Sequence, residues 1–318
     1  MKVIFIGNDT SILTGKNGDA RERQIEYAKY FDNLTIIIFS LKNDNLKEEK
    51  IGNLEIYPTN SLNRWLFIID SLKIIRRLKI DLISTQDPFI AGLAGVLAKF
   101  IFKIKLNIQV HNDFFDNPYF KSENLQNYLF YWLGKFCLLF ANSIRVVNRR
   151  LVKDSRYFVA PVATDLDFFW GNRHLKTFNQ IVTVARLSKQ KNLPLFFNLA
   201  KEFPNTRFVV VGEGEERNHL ETIKPDNVLL VGQKNRVEVK QIFSESDIFV
   251  LTSNYEGWGL SCIEALTSGL PVIMPDIGCA GEAIIDRMSI KENQSLLLEK
   301  FNKKILIEKF IDGLINTP

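Results

Sequence analysis

Cysteine, histidine and methionine are scarce in this chain, with three of each among 318 residues. Cys137, Cys262 and Cys279 are too few and too far apart for a disulfide framework or a Cys-x-x-Cys metal site. A reduced, cytoplasmic protein is the expectation, and with no clustered His or Cys to hold an ion, no metal is expected. Long apolar runs are missing too. The opening Met1–Gly7 holds an apolar run of only four residues, short of a secretory leader, and reads as a buried strand. Phe89–Ile101 is broken by Lys99, and Tyr128–Ile144 by Lys135 and Asn142. Neither approaches the ~20 uninterrupted apolar residues of a membrane span.

What is present is ordinary globular material, 46% hydrophobic and 24% charged, which excludes disordered, collagenous and coiled-coil chains. The length allows about two domains of ~150 residues. The net charge of +5 is unevenly spread. Residues 1–170 hold 23 Lys+Arg against 18 Asp+Glu, while the remainder is balanced.

Short β-branched runs alternate with helical patterns. Val3–Ile6, Leu34–Phe39, Leu82–Ser84, Leu106–Val110 and Ile144–Val147 read as strands, with Glu55–Tyr57 weaker. Asp19–Tyr30, Leu62–Leu78, Phe89–Phe102 and Asn124–Phe140 read as helices. Such alternation predicts a parallel, doubly wound α/β sheet. The pattern stops in the aperiodic Val159–Phe169 and restarts at Ile181–Ala185. Further strands follow at Arg207–Val211, Val228–Val231, Ile248–Leu251 and Pro271–Ile273, with helices between. Two Rossmann-like domains are expected, residues 1–170 and 171–318, facing across a cleft at the carboxyl ends of their strands.

The most informative stretch runs from Ser253-Asn-Tyr-Glu256-Gly257-Trp-Gly259-Leu260-Ser261-Cys262 to Glu264 and on to Gly269-Leu-Pro-Val. A strand ends at Leu251, a turn carries Gly257 and Gly259, and a helix starts near Leu260. Glycines let backbone approach a ligand, and the first helical N–H groups with the helix dipole form an anion site suited to phosphate. Glu256 and Glu264, eight residues apart, are then poorly placed unless they accept from something other than the anion; sugar hydroxyls are good donors to them. Read singly, Glu256 is a solvated loop residue and Glu264 a helix support. Cys262 reads as packing.

These residues resemble the signature of the family 4 retaining glycosyltransferases. Three further segments lie in that family's order: Val184-Ala-Arg186-Leu-Ser-Lys-Gln-Lys191-Asn, Val209-Val-Val-Gly212-Glu-Gly214-Glu, and Asp276-Ile-Gly278-Cys-Ala-Gly281-Glu282. The resemblance covers about residues 181–286 and implies the two-domain GT-B fold. It implies that Arg186 and Lys191 bind the diphosphate of a nucleotide-sugar, that Glu256 holds donor-sugar hydroxyls, and that Glu264 holds the nucleotide ribose. The amides from Gly259 through Leu260 to Ser261 would complete the phosphate cradle, with Gly257 in the same turn. Negative charge building on a leaving phosphate can be met by two cations and a helix N-terminus. Without the motif beside it, Arg-Leu-Ser-Lys-Gln-Lys-Asn is a solvated basic loop. No cofactor is expected, the nucleotide-sugar being the substrate.

In the N-terminal half, Gly7–Tyr27 is a Gly-containing loop feeding a helix, without the GxGxxG of dinucleotide binding. The resemblance implies closure of this loop over the donor phosphate, with Gly15, Gly18 and Arg21 as the residues concerned and Arg23 a rival to Arg21. His111, just past the strand Leu106–Val110, is placed to line the cleft, and the resemblance implies that it contacts the donor sugar, a core histidine being the alternative. Gln86-Asp87-Pro88 is a candidate for the acceptor side; His174 and His219 read as surface residues. The basic runs Arg76-Arg77-x-Lys79 and Lys99-x3-Lys103-x-Lys105, near Trp65, Phe67, Phe100 and Phe102, suggest contact with an anionic membrane; a solvated basic face is the alternative.

The expected partners are a UDP- or GDP-linked sugar and a glycan or lipid-linked acceptor, at the inner face of a membrane, and not nucleic acid. After Asp286 the chain departs from the family pattern, so the helix that crosses back to the N-terminal domain is expected to be shortened or absent. That departure keeps a second reading open, a non-catalytic nucleotide-sugar or glycan-binding protein of the same fold. A phosphorylase would need a pyridoxal-phosphate lysine and a longer chain; an epimerase would need an acid/base pair that the sequence does not offer.

Overall fold

The computed structural model describes residues 1–14, 19–171, 179–286 and 288–318. Two compact units divide the chain: Met1–Pro161 with Ile307–Pro318, and Val162–Leu306. The boundary therefore falls at 161/162 and not near 170, because Leu166–Phe169 turns into a short helix that packs within the second unit.

The first unit holds strands β1 (Lys2–Gly7), β2 (Asn33–Ile38), β3 (Glu49–Ile51), β4 (Leu54–Pro58), β5 (Leu82–Thr85), β6 (Lys105–Val110), β7 (Ser143–Val146) and β8 (Tyr157–Val159). Its helices are α1 (Ser11–Thr14), α2 (Asp19–Ala28), α3 (Leu66–Ile75), α4 (Ile90–Phe102), α5 (Pro118–Ser122) and α6 (Leu125–Leu139). The strand order is β3-β4-β2-β1-β5-β6-β7-β8, parallel throughout except for the β3–β4 pair. Central strands of such a sheet are covered on both faces and read as unbroken apolar runs. Val3 to Ile6 are accordingly all buried, with Ile4 opposite Thr35 on one side and Ile83 on the other.

In the second unit, α7 (Leu166–Phe169) leads into β9 (Gln180–Val184), α8 (Leu193–Glu202), β10 (Arg207–Val211), α9 (Arg217–Ile223), β11 (Val228–Leu230) and α10 (Arg236–Glu245). β12 (Ile248–Val250), α11 (Leu260–Thr267), β13 (Val272–Ile273) and α12 (Ile290–Lys300) complete it. The sheet is wholly parallel, in the order β11-β10-β9-β12-β13. Asp165-Leu-Asp167 has an Asp-x-Asp spacing, but Asp165 is spent capping α7, accepting the Phe168 N–H at 3.2 Å.

The last helix, α13 (Lys303–Ile315), corrects the expectation of a shortened or absent returning helix. Its C-terminal part belongs to the first unit, where Phe310 packs against Phe5 and Tyr27 with ring centroids 5.8 and 5.0 Å apart. The amphipathic stripe Leu306, Ile307, Phe310, Ile311 and Leu314 is buried throughout. Among the described residues, no helix is long and apolar enough to cross a membrane.

Each sheet reverses direction once. In the first unit the reversal lies between β1 and β5, in the second between β9 and β12. Loops diverge there at the carboxyl ends of the strands and leave a ligand crevice.

Candidate functional site

In the second unit the loops after β9 and β12 are tied together across the switch point. Thr252 Oγ1 donates to the Lys191 carbonyl at 2.9 Å, the Asn254 N–H to the Gln190 carbonyl at 2.8 Å, and Gln190 Nε2 to the Tyr255 carbonyl at 2.8 Å. This stitching brings Lys191 Nζ onto Glu256 Oε1, which also accepts from Ser253 Oγ at 2.7 Å. Both members of the ion pair are withdrawn from solvent, with side-chain exposures of 18% and 8%.

Helix α11 starts immediately beyond. Its N-cap is Gly259, at φ +81°, a left-handed conformation costly for a residue with a Cβ, and no side chain caps the helix. The Leu260 and Ser261 N–H groups lie in the first turn, where no helical carbonyl reaches them. Glu264 stands one turn further, half-buried. Burial pushes the Cys262 thiol well up; Cys279, Glu256 and Glu264 push the same way and Lys191 opposes them, so these groups surround one buried sulfur. Cys262 is packing, as its sequence context suggests. Gly278 backs the site from the loop after β13: a Cβ there would lie 3.1 Å from Glu256 Cβ and from the Trp258 carbonyl oxygen.

The Gly-Glu-Gly turn after β10 acts from below. A Cβ on Gly212 would sit 2.0 Å from the Ala185 carbonyl oxygen, and one on Gly214 2.3 Å from that of Leu187. Only glycine lets this turn lie against the loop that carries Arg186 and Lys191. Arg186 itself projects outward, its side chain 74% exposed and paired at 3.2 Å with Glu215. The fold therefore joins Lys191, Glu256 and the α11 N-terminus into one site and leaves Arg186 at its edge. Among the described residues, no group of three or more His, Cys, Asp or Glu is placed to hold a metal.

In the first unit, His111 sits at the carboxyl end of β6. Burial, with the Arg145 and Arg23 cations nearby, pushes its imidazole down to about 3, so it is neutral at pH 7. Arg21 does not fill the role expected of it: it is held by Glu49 at 2.5 and 2.8 Å and donates to the Ile12 carbonyl at 3.0 Å. A bidentate pair with a carboxylate uses up the fork that an anion would need. Arg23, the rival, is the one close to His111. Gly15, Gly18 and His174 lie outside the described residues. His219 is on the surface of α9, as expected.

Sequence reasoning missed Arg145. It is buried on β7 and donates to Gln109 Oε1, the Ala160 carbonyl and the Pro161 carbonyl at 2.7, 2.8 and 3.0 Å, its guanidinium 4.0 Å from the Phe310 ring centroid. A charge in a four-residue apolar strand carries no sequence signal of this kind.

At the β1/β5 switch point lies a cavity of about 290 Å³, walled by Phe39, Phe67, Phe89, Phe114, Phe120 and Phe130. Arg64 and Asp87 supply its charge; Arg64 stands 5.6 Å from the Phe130 ring centroid. Asp87 accepts the Phe89 N–H at 2.8 Å at the start of α4, and burial raises its carboxyl. Asp87 thus lines a pocket at a strand end, as its position suggested.

Residues 166–316 match the family described as Glycosyl transferases group 1. An uncharacterized glycosyltransferase of Methanocaldococcus jannaschii is 28% identical over 73% of this chain and 63% of its own length. The UDP-Gal:alpha-D-GlcNAc-diphosphoundecaprenol alpha-1,3-galactosyltransferase of Escherichia coli is 28% identical over 78% of this chain and 68% of its own. The chain thus spans about two thirds of the length of these relatives. Among solved structures, sucrose-phosphate synthase from Thermosynechococcus elongatus superposes with a TM-score of 0.73 over 100% of this chain and 94% of its own, at 13% identity. At that identity the likeness is one of fold, and the fold is GT-B.

Proposed function

Residues 166–316 match the Glycosyl transferases group 1 family, and from that match we propose that the chain is a retaining, metal-independent hexosyltransferase. It moves a sugar from a UDP- or GDP-linked donor to a glycan or lipid-linked acceptor, in the synthesis of cell-envelope or surface polysaccharide. The E. coli relative, by its name, uses UDP-Gal and a diphosphoundecaprenol acceptor, which supports this reading. The observation that carries it is the meeting of Lys191, Glu256 and the uncapped start of α11 at the switch point of one sheet.

In this reading Lys191 and the Leu260 and Ser261 amides hold the diphosphate, and Arg186 leaves Glu215 to join them. Glu256 accepts from donor-sugar hydroxyls, Glu264 from the ribose. Neutral His111 hydrogen-bonds the donor sugar, and Arg23 takes the part expected of Arg21. The acceptor oxygen attacks the anomeric carbon on the face that the phosphate leaves. The new C–O bond forms as the bond to phosphate breaks, and the acceptor's proton passes to the leaving phosphate oxygen. Two cations and a helix N-terminus stabilise the charge developing there, so no metal or other cofactor is needed. The aromatic cavity with Arg64 and Asp87 receives the acceptor. The enzyme works at the cytoplasmic face of an anionic membrane.

The test is transfer from UDP- and GDP-sugars to lipid-linked and soluble glycans in the presence of EDTA, with the product anomer read by NMR. Retained configuration without metal is expected. An inverted product, or activity only with a divalent ion, would overturn the mechanism. Donor binding without transfer across the panel would restore the non-catalytic reading.

A further inference from the structure

Helix α6 wears its apolar residues on the outside. Leu125, Leu129, Trp132, Phe136 and Leu139 recur at helical spacing on one stripe, and Leu125, Trp132 and Leu139 are 75%, 55% and 70% exposed. The opposite side, with Tyr131, Gly134, Cys137 and Leu138, is buried, Gly134 facing Phe89 and Phe115 and Cys137 facing Gly92 of α4. On the neighbouring α4, Leu97, Phe100 and Ile101 are exposed in the same way. Phe140 joins the two patches, its ring 5.4 Å from Phe100 and 5.0 Å from Phe136. An outer helix face of a water-soluble surface is ordinarily polar, and a contiguous apolar patch marks a binding surface.

The charges on the two helices have one sign. Neither α4 nor α6 contains Asp or Glu; their only charged residues are Lys99 and Lys135. Lys135 lies 4.6 Å from the Tyr131 and 5.6 Å from the Trp132 ring centroid. Beside Leu138 and Leu139 opens a cavity of about 340 Å³ whose rim carries Lys135, Lys153 and Arg156, with Asp116 paired to Lys153 and Asp154 to Arg156. An apolar stripe with Trp and Phe, cationic residues beside it and no carboxylate on either helix matches an anionic lipid surface, not a charge-mixed protein rim.

We propose that the α4–α6 face is where the protein lies on an anionic bilayer, with Leu129, Trp132 and Phe136 entering the headgroup–acyl boundary and the cation-rimmed cavity taking a lipid phosphate. This names the face for the membrane contact in the functional reading above, and rests on that contact but not on the donor chemistry. Phe130, on the same helix, lines the aromatic cavity at the β1/β5 switch point, so a lipid-linked acceptor would leave the bilayer beside the helix that helps to receive it. The Arg76-Arg77-x-Lys79 run is not needed, and Phe67, grouped with it in the sequence, is buried.

The test is co-sedimentation of the full chain with vesicles of phosphatidylcholine alone and with phosphatidylglycerol added. The chains compared are the wild type, a Trp132→Ser/Phe136→Ser double variant, and Trp65→Ser, an exposed tryptophan that belongs to neither helix. Wild type and Trp65→Ser should partition to the anionic vesicles about tenfold more than to neutral ones, and the double variant should lose that binding about tenfold. Thermal stabilisation by UDP and by GDP, read in parallel, reports on fold and donor site and should be equal in all three. Unchanged vesicle binding by a folded double variant overturns the face while leaving membrane contact standing; equal recovery of the wild type from both vesicles overturns both. A wild-type dimer that the double variant dissociates would assign the face to a second copy. Vesicle binding without any response to UDP or GDP would sink the donor reading alone.

Discussion

Breaking the Lys191–Glu256 pair from its two ends should give unequal results. In Lys191→Met the Glu256 carboxylate stays buried with the Ser253 hydroxyl, at 2.7 Å, holding the oxygen that the ammonium has left. Removing one partner of a buried pair costs about 3–5 kcal/mol; the low end applies because Ser253 remains and Lys191 is partly wet. In Glu256→Gln the ammonium is left behind instead, but a lysine can swing to water, so about 1 kcal/mol is expected. For a unit of this size each kcal/mol moves the melting temperature by about 2–4 °C. Lys191→Met should therefore melt about 6–12 °C lower and Glu256→Gln about 2–4 °C lower. The double variant should cost only about 1 kcal/mol, recovering most of the larger loss, a coupling of about 3 kcal/mol. Both single variants should lose about 10²–10³-fold in kcat, since charge aimed at the leaving phosphate is removed or misplaced. Thermal melts and single-turnover transfer measure the two effects separately. Additive melting shifts would refute the coupling, and a Lys191→Met enzyme with wild-type turnover would refute the site.

Gly212→Ala sets a methyl 2.0 Å from a backbone oxygen at φ +140° and should cost about 3 kcal/mol or more, weakening UDP binding along with the melt; a wild-type melt would show that the turn yields freely. The His111 imidazole, held near 3 when folded against 6.5 when free, makes the unfolded chain the better proton binder. Its contribution is complete above pH 6.5 and fades as the pH falls toward 3, by at most about 2 kcal/mol at pH 5. Urea titrations of His111→Gln should show a flatter acid limb than the wild type, and parallel limbs would exclude His111 as the cause. The three buried thiols, with Cys137 pushed up to about 12, should resist an aromatic disulfide reagent at pH 8 until denaturant is added; a fast native burst would mean that one of them is reachable.

Much of this was legible beforehand, for a physical reason. Strands covered on both faces must be apolar along their whole length, so Val3–Ile6 and Arg207–Val211 announced themselves and fall within observed strands. The second sheet's motif glycines were legible because backbone contact excludes a Cβ, and Gly212, Gly214 and Gly278 each show that contact. Arg21 against Arg23 was not decidable, since the choice depends on Glu49, brought up by a β3–β4 hairpin whose first strand is three residues long. The amphipathic pattern of α13 marks a helix but not which unit it covers. Arg145 was invisible because two of its partners are backbone carbonyls, which no sequence displays.

The return of the chain at Ile307–Pro318 sets the order in which the molecule can be finished during synthesis. Domains ordinarily fold N-terminal first as they emerge. Here the second unit, continuous from Val162 to Leu306, has all its residues before the first unit does. Until Phe310 arrives, Phe5 and Tyr27 lack their covering ring, and Arg145 its aromatic neighbour. The N-terminal sheet must wait, incompletely closed, for residues 307–318 to be translated.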